Sequence, residues 1–308
     1  MTASSNTTTL CKTASTDVNY NGQMRFIKAG AALGGLTFLG FPSLLNWRVW
    51  ETFAQVSAFL HLGSSTETRD IVVHDARATT THDYGRTGFA LRPLVSSVGD
   101  WAKAALRGTD EQAQYREELT ALLRELHPGL KRAEFQNVML RGGDLNPTAA
   151  NGPHLDYYQD EEERRAFDAE HNPVSCEEGE EGKGKGDGPD MIVGLWKPID
   201  MQNPVHDFPL AVVDASTFAA EDEVMSRTFM MQTKEGRRVR TASLSSNVRF
   251  TERQRWYYYH EQTCDEVLVF RHWTKGEFKC NPHASLSLPL PRGCETRRSV
   301  ETRVALYF

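Results

Sequence analysis

The C-terminal half of the chain is a succession of short apolar segments, each ended by turn residues. The segments are residues 191–196, 209–215, 227–233, 242–250, 255–261, 265–273, 284–288 and 299–308. Many short strands separated by turns favour an antiparallel sandwich or barrel. We therefore expect a mainly β protein with flanking helices, built on a double-stranded β-helix, that is, a jelly-roll or cupin-like core.

The N-terminal half contains the segments that pack around this core. Residues 109–127 carry apolar side chains at helical spacing, with Thr109 or Asp110 as the cap and a Pro-Gly pair as the stop. Residues 71–78 and 135–140 are predicted strands. Because the helix has a single apolar face, we expect it to cover a sheet.

Composition divides the chain into a tail, one domain and an insertion. Residues 1–22 lack apolar periodicity and are predicted to be a flexible tail, and residues 23–308 a single domain. Residues 160–190 are acidic, Gly-rich and nearly free of large apolar side chains. We expect them to be a mobile insertion, either a solvated surface loop or a lid. The most apolar stretch, residues 29–45, is too short and too rich in glycine for a membrane span.

Charge and cysteine usage exclude several functions. The chain has 35 basic and 41 acidic residues and a formal charge of -6, which gives no basic footprint for nucleic acid. Its five cysteines are odd in number and widely spaced, as is typical of reduced thiols in an intracellular protein. The N-terminus has no basic region followed by an apolar core, so no secretory signal is expected. We expect a soluble cytoplasmic protein that acts on a small molecule and has no nucleic-acid or membrane partner, and we leave a homodimer open.

The motif His154-Leu155-Asp156 is the first candidate for a metal site. Residues i and i+2 of a strand share a face, so the imidazole and the carboxylate converge. His283, at the start of a later predicted strand, can add a second imidazole. Two histidines and one carboxylate on one face of Fe(II) leave three positions open for a bidentate cosubstrate and O₂. A His-x-Asp motif alone discriminates loosely, so the hypothesis needs a further element.

That element is Arg297 with Ser299, which share a face of the last predicted strand. A guanidinium binds a carboxylate through two parallel hydrogen bonds, and a neighbouring hydroxyl can donate a third. The pair fits the remote carboxylate of 2-oxoglutarate; the alternative is a surface cluster of arginines. Tyr158 either lines the substrate pocket or packs inside the barrel. Three further histidines have no partner at ligand spacing and are interpreted as structural: His206, His260 and His272.

Several blocks between Ile71 and Phe308 also carry a family resemblance. They are IVVHDAR (71–77), GPHLDYY (152–158), GLWKPIDMQNPVHDFPLAVVDA (194–215), RWYYYHEQTCDEVLVFRHW (255–273), NPHASL (281–286) and RRSVETR (297–303). With these blocks the chain resembles the fungal gibberellin-desaturase and AsaB-type hydroxylase/desaturase family, which includes CmcJ-like proteins. The resemblance implies an Fe(II)/2-oxoglutarate-dependent dioxygenase that uses O₂ to hydroxylate, desaturate or cyclise a small molecule of secondary metabolism.

Two other classes stay open. One is a metal-dependent hydrolase or isomerase on the same barrel, which would have no need of a dicarboxylate anchor. The other is a non-catalytic partner subunit, against which the complete set of ligand types argues.

Overall fold

The strand-like segments form β-strands in the computed structural model, which describes residues 19–27, 66–78, 83–142, 152–171, 188–234, 237–289 and 293–308. In chain order the strands are β1 (Asn19–Ile27), β2 (Thr66–Asp75), β3 (Phe89–Pro93), β4 (Arg132–Arg141), β5 (His154–Leu155), β6 (Met191–Pro198), β7 (Leu210–Val213), β8 (Glu223–Lys234), β9 (Arg237–Val248), β10 (Trp256–Tyr258), β11 (Glu266–Thr274), β12 (His283–Ser285) and β13 (Ser299–Tyr307). The helices are α1 (Tyr84–Thr87), α2 (Trp101–Ala104), α3 (Asp110–Leu126) and α4 (Glu161–His171), with 3₁₀ turns at Ala215–Thr217 and Ala220–Asp222.

The described strands make two sheets. The larger has the order β1-β2-β10-β7-β12-β5-β9-β8 and the smaller the order β3-β11-β6-β13-β4. Neighbouring strands are antiparallel apart from β2 and β10, which are parallel. A buried apolar cluster joins Trp196 and Phe270 of the smaller sheet to Leu210 and Val212 of the larger. Two antiparallel sheets packed face to face over such a core are the jelly-roll architecture that the sequence predicted.

Helix α3 covers the outer face of the smaller sheet. The Thr109 side chain accepts a hydrogen bond from the backbone N–H of Gln112 and so caps the first turn. Tyr115, Leu119 and Leu123 are buried in one apolar cluster with valines of β6, β11 and β13. Burying a leucine of this kind contributes roughly 1.5–3 kcal/mol. The predicted amphipathic helix is confirmed within one residue at each end.

Strand β13 has apolar side chains on one face and polar side chains on the other. Val300 and Val304 pack in the cluster under α3. Because side chains alternate along a strand, Ser299, Glu301 and Arg303 face the other way, into the space between the sheets. Ser299 and Glu301 are therefore buried inside the barrel, and Arg303 is partly buried there.

Two segments differ from the sequence prediction. Residues 19–22 belong to β1, so the tail ends earlier than residue 22, and residues 1–18 lie outside the described part of the chain. The acidic insertion begins with helix α4, whose Phe167 is buried against Ala242 and Leu244 of β9. The central part of the insertion predicted at 160–190, residues 172–187, and the apolar run at 29–45 lie outside the described residues. Among the described helices, none has the length and apolar character needed to cross a membrane.

Candidate metal centre

The pairing of β5 with β12 brings His154 and His283 face to face. The two residues are direct partners in the antiparallel register, where side chains on one face are close neighbours. Their ring centroids are 4.4 Å apart. The larger sheet therefore unites two histidines that are far apart in the chain.

A backbone carbonyl orients each imidazole. The Nδ1 atom of His154 lies 2.8 Å from the carbonyl oxygen of Gly152, and the Nδ1 atom of His283 lies 3.4 Å from that of Asn281. Because a carbonyl only accepts, Nδ1 carries the proton and Nε2 presents its lone pair to the site. Burial lowers the pKa of His283, and the nearby His154 adds to the effect, which keeps the ring in its neutral, metal-binding form.

Asp156 completes the donor set. Its Oδ1 atom lies 3.8 Å from Nε2 of His154 and its Oδ2 atom 3.9 Å from Nε2 of His283. The donor atoms of the three residues all lie within 4.8 Å of one another. Burial raises the pKa of Asp156, but Arg303 and the neighbouring histidines outweigh it and hold that pKa well below its usual range. Two imidazoles and an ionised carboxylate are the ligands of a non-haem Fe(II) site, so these residues fit that metal.

The strand alternation ends just after these ligands. A bend at Asp156 and Tyr157 follows β5, so Tyr158 does not continue the face of the two ligands. Tyr158 is partly buried against the cluster that contains Phe167 of α4, and its place in the substrate pocket stays a prediction. The Tyr157 ring lies beside His272, with ring centroids 5.7 Å apart, and the Phe270 ring lies beside His283, with ring centroids 4.9 Å apart.

Arg297 lies just before β13 and is almost fully buried, with 4% of its surface exposed. Its Nη1 atom donates to the carbonyl oxygen of Phe208 at 2.6 Å and to Oγ of Ser285 at 3.0 Å. Burial lowers the pKa of Arg297 to about 10, with a contribution from Arg141, so the guanidinium stays charged at neutral pH. The alternative of a solvated surface arginine does not describe this residue, although it does describe Arg298.

The hydroxyl beside this guanidinium belongs to Ser285 of β12, not to the predicted Ser299. Ser299 is buried in β13, and its Oγ makes no hydrogen bond within the described residues. Ser299 was predicted because Arg297 and Ser299 were expected to share a strand, whereas β13 starts at Ser299. Arg297 precedes the strand, so alternation does not align the two side chains.

A small cavity connects the metal ligands to this arginine. Its walls are formed by His154, His283, Arg297, Ser285, Ala284, Trp196, Leu210, Arg141 and Glu301. Arg141 and Glu301 form an ion pair across the wall, with Nε and Oε2 3.6 Å apart. The structure therefore places two predicted metal ligands and the predicted anchor on one cavity.

Three residues around Asp156 were not predicted from the sequence. His272, interpreted as structural, is fully buried and lies with Nε2 3.6 Å from Oδ2 of Asp156. The Nε atom of Arg303 lies 2.9 Å from the same oxygen. Glu301 forms, with Asp156 and His272, a second group of possible donor atoms within 4.8 Å. The alternation of polar and apolar residues in 299–304 was the available signal for the two residues of β13.

Two histidines and one carboxylate at the centre of a jelly roll, joined by a cavity to a buried arginine, define the class of non-haem iron centres with open coordination positions. Residues 52–307 match a family model described as "Oxidoreductase/YMDC permease-like domain", and the chain belongs to that family.

Curated relatives come from fungal secondary metabolism. The chain is 32% identical over 123 residues to "Aspirochlorine biosynthesis protein N" of Aspergillus oryzae (strain ATCC 42149 / RIB 40), covering 38% of this chain and 48% of that protein. It is 28% identical over 117 residues to "Fe(II)/2-oxoglutarate-dependent dioxygenase nvfI" of Aspergillus novofumigatus (strain IBT 16806), covering 37% and 39% of the two chains. The chain thus spans less than half the length of either curated relative.

Solved structures extend the similarity over the whole fold. The structure entitled "iron and alpha-ketoglutarate-dependent endoperoxidase NvfI" matches with a TM-score of 0.64 at 17% identity, over 94% of this chain and 98% of that one. A second structure of NvfI, in a different conformation, matches with a TM-score of 0.66 over the same shares. The jelly-roll prediction and the resemblance to fungal Fe(II)/2-oxoglutarate oxygenases are confirmed.

Proposed function

We propose that this chain is an Fe(II)/2-oxoglutarate-dependent dioxygenase that oxidises a C–H bond of a small molecule in secondary metabolism. The observation that carries the proposal is the cavity that joins the imidazoles of His154 and His283 to the buried guanidinium of Arg297. A metal site alone would suit several reactions. A metal site with a cationic anchor at the far end of the same cavity suits a cosubstrate that chelates the metal and ends in a carboxylate.

The protein's part at the metal end is to hold three donors on one side of the ion. His154 and His283 present Nε2 because backbone carbonyls hold their Nδ1 protons. Asp156 supplies the negative charge that two neutral imidazoles lack. When bound, iron and 2-oxoglutarate supply the oxidising chemistry with O₂, and the protein contributes binding, orientation and exclusion of water.

At the other end, Arg297 is held in place before any cosubstrate arrives. Its Nη1 atom already donates to Phe208 and Ser285, and a guanidinium carries further N–H groups on Nε and Nη2 that can bind a carboxylate. Arg141 adds a second positive charge, which Glu301 balances. Of these three charged groups two are positive, so this end of the cavity is suited to an anion.

The reaction outcome is proposed only as a class. NvfI is named an endoperoxidase and Aspirochlorine biosynthesis protein N a biosynthetic protein. For this chain we propose hydroxylation, desaturation or oxidative cyclisation of a small organic molecule. The metal centre does not distinguish these outcomes, because each begins with cleavage of a C–H bond.

Anaerobic reconstitution tests the proposal. Purified protein is loaded with Fe(II) and then titrated with 2-oxoglutarate, and the visible metal-to-ligand charge-transfer absorption is followed. We expect a weak band that saturates at one cosubstrate per iron, and slow succinate formation on admission of air. Iron binding without the band would favour a hydrolase or isomerase, and absence of iron binding would favour a non-catalytic subunit.

We also propose that the protein acts in the cytoplasm, as a monomer or a homodimer. Its described cysteines, Cys264, Cys280 and Cys294, are all unpaired thiols, which supports a reducing compartment. Size-exclusion chromatography with light scattering would distinguish the two oligomeric states.

A further inference from the structure

Asp156 belongs to two groups of donor atoms at once. Its carboxylate lies within 4.8 Å of donor atoms of His154 and His283, and separately of His272 and Glu301. The two groups share only Asp156, and the His272 ring lies beside that of His283, with ring centroids 5.3 Å apart.

His272 has no other hydrogen-bonding role in the described chain. The residue is fully buried, and neither Nδ1 nor Nε2 makes a hydrogen bond with any described residue. A neutral imidazole always carries one N–H group, and a buried donor without an acceptor costs about 1–3 kcal/mol. The carboxylate oxygen Oδ2 of Asp156, 3.6 Å from Nε2, is itself buried without a hydrogen bond. Hydrogen bonds at metal and catalytic sites are often longer in the ligand-free protein and tighten when the site is filled.

We propose that His272 is a positioning residue for the metal, which donates from Nε2 to Oδ2 of Asp156 and leaves Oδ1 to bind the ion. This inference rests on the proposed function. The guanidinium of Arg303 already forms an ion pair with the same oxygen, with Nε 2.9 Å from Oδ2, so Oδ2 would face two positively polarised groups and Asp156 would bind the ion through Oδ1. Monodentate binding preserves the open positions that the cosubstrate and O₂ require.

A second metal ion between Asp156, His272 and Glu301 is the competing explanation. Each carboxylate of that group already faces a guanidinium, Asp156 that of Arg303 and Glu301 that of Arg141. A divalent cation placed there would be repelled by both arginines in a buried, poorly screened environment. The charges around this group therefore favour a hydrogen-bonding role for His272 over metal binding.

Gly194 of β6 makes room for this histidine. A Cβ atom built on Gly194 would lie 2.6 Å from Nε2 of His272 and 2.6 Å from the ring of Phe270. Real Cβ atoms do not approach other atoms so closely, so an alanine at this position must displace His272 or Phe270. Gly194→Ala therefore perturbs the donor without changing the histidine itself.

Metal titration in four variants tests the proposal without using the enzymatic reaction. The variants are His272→Leu, His272→Gln, Gly194→Ala and the double variant Gly194→Ala/His272→Leu, with His206→Gln as the control for loss of a distant histidine. Co(II) is the probe, because it is stable in air and its visible absorption reports its ligands. Affinity comes from the absorption, and the number of ions per chain from elemental analysis. Circular dichroism and thermal melting check the fold of each variant.

We expect one ion per chain in the wild type. His272→Leu should weaken Co(II) binding by about 10–100-fold, the usual effect of removing a group that orients a ligand. His272→Gln, which keeps an N–H donor, should recover much of the affinity. Gly194→Ala should weaken binding in the same direction, and the double variant should be no weaker than His272→Leu, because both changes remove one interaction.

Two results would overturn the inference. Two ions per wild-type chain that fall to one in His272→Leu would make His272 a ligand of a second metal. One ion bound with wild-type affinity by folded His272→Leu and Gly194→Ala would show that His272 does not position Asp156. If the wild type binds no metal at all, the proposed function itself fails, and this outcome is recognisable before any variant is compared.

Discussion

Replacing Arg297 by alanine is the most direct test of the proposed cosubstrate anchor. The side chain is buried and charged, and it lines the cavity that His154 and His283 also line. Removing one partner of a charged hydrogen bond costs about 1.5–3 kcal/mol. Since each 1.4 kcal/mol or so is a factor of ten in affinity, Arg297→Ala should weaken 2-oxoglutarate binding by about ten- to a hundredfold.

The assay separates the two ends of the cavity. The 2-oxoglutarate affinity is read from the charge-transfer band under anaerobic conditions, and the iron affinity from a separate titration. Arg297→Lys should recover only part of the affinity, because an ammonium lacks the planar fork. Arg298→Ala is the matched control: its guanidinium is half-exposed and pairs with Asp200 at 3.2 Å, so we expect wild-type affinity.

A loss of stability must be distinguished from a loss of binding. Arg297→Ala also removes the donor to Phe208, a residue with a positive φ of 46°, and to Ser285. Some decrease of the melting temperature is therefore expected. Iron affinity should nevertheless stay near the wild-type value. If folded, iron-loaded Arg297→Ala shows unchanged dependence on 2-oxoglutarate, the anchor is elsewhere, and Arg141 on the same cavity is the next residue to change.

Three further predictions concern the metal ligands, the half-buried His127 and the buried Lys197. His154→Ala and His283→Ala should each abolish stoichiometric iron binding while leaving the circular dichroism spectrum intact. Iron retained by both variants would show that His154, Asp156 and His283 are not the metal ligands. Burial lowers the pKa of His127 from its ordinary 6.5 to about 4, so between these pH values the unfolded chain binds a proton that the folded one does not. The free energy of unfolding should therefore fall as pH falls from 6.5 to 4, by roughly 1–2 kcal/mol after solvent screening, and His127→Gln should show a smaller fall in denaturation curves. Lys197 is buried and donates to two backbone carbonyls, so Lys197→Met should lower the unfolding free energy by about 1–3 kcal/mol; an unchanged denaturation midpoint would contradict this assignment.

Local pattern was enough to predict most of the fold. Helix α3 was predicted at 109–127 and found at Asp110–Leu126, because its cap, apolar spacing and stop are all encoded within twenty residues. The strands of the C-terminal half were found within a few residues of their predicted ends for the same reason. Helix α4 was missed because Phe167 is its one large apolar anchor among charged residues, and its packing on β9 is not visible in its own sequence.

The candidate site, like the fold, could be predicted only where local sequence is sufficient. His154, Asp156 and His283 could be chosen because their residue types and order suffice for a metal site. The role of His272 could not be predicted, because Asp156 is more than a hundred residues away in the chain. The two residues come together only when the two sheets face each other. Ser285 was not chosen because it lies on β12, and no local pattern connects it to Arg297, whose Nη1 donates to its Oγ; the role of Ser299 stays a prediction. A site that lies between two sheets depends on non-local register, which alternation within one segment does not determine.

The register of β13 is the feature on which both halves of the site depend. A slip of one residue would turn Glu301 and Arg303 out of the barrel and bring valines into the cavity. The pairing of β13 with β4 shifts by one residue between Thr302 and Val304, which is a bulge opposite Arg303. Bulges re-aim side chains and are common beside active sites.

This bulge also connects β4 to the metal ligands. Gln136 of β4 accepts a hydrogen bond from the hydroxyl of Tyr157 at 2.5 Å, and the guanidinium of Arg303 lies 6.0 Å from the centre of the same ring. Arg303 in turn holds Oδ2 of Asp156. The irregular point of the smaller sheet thus fixes, through Tyr157 and Arg303, the carboxylate that the larger sheet places beside its two histidines. The larger sheet therefore supplies the three proposed metal ligands, and the smaller sheet supplies His272 and Arg303, which lie against the carboxylate of Asp156.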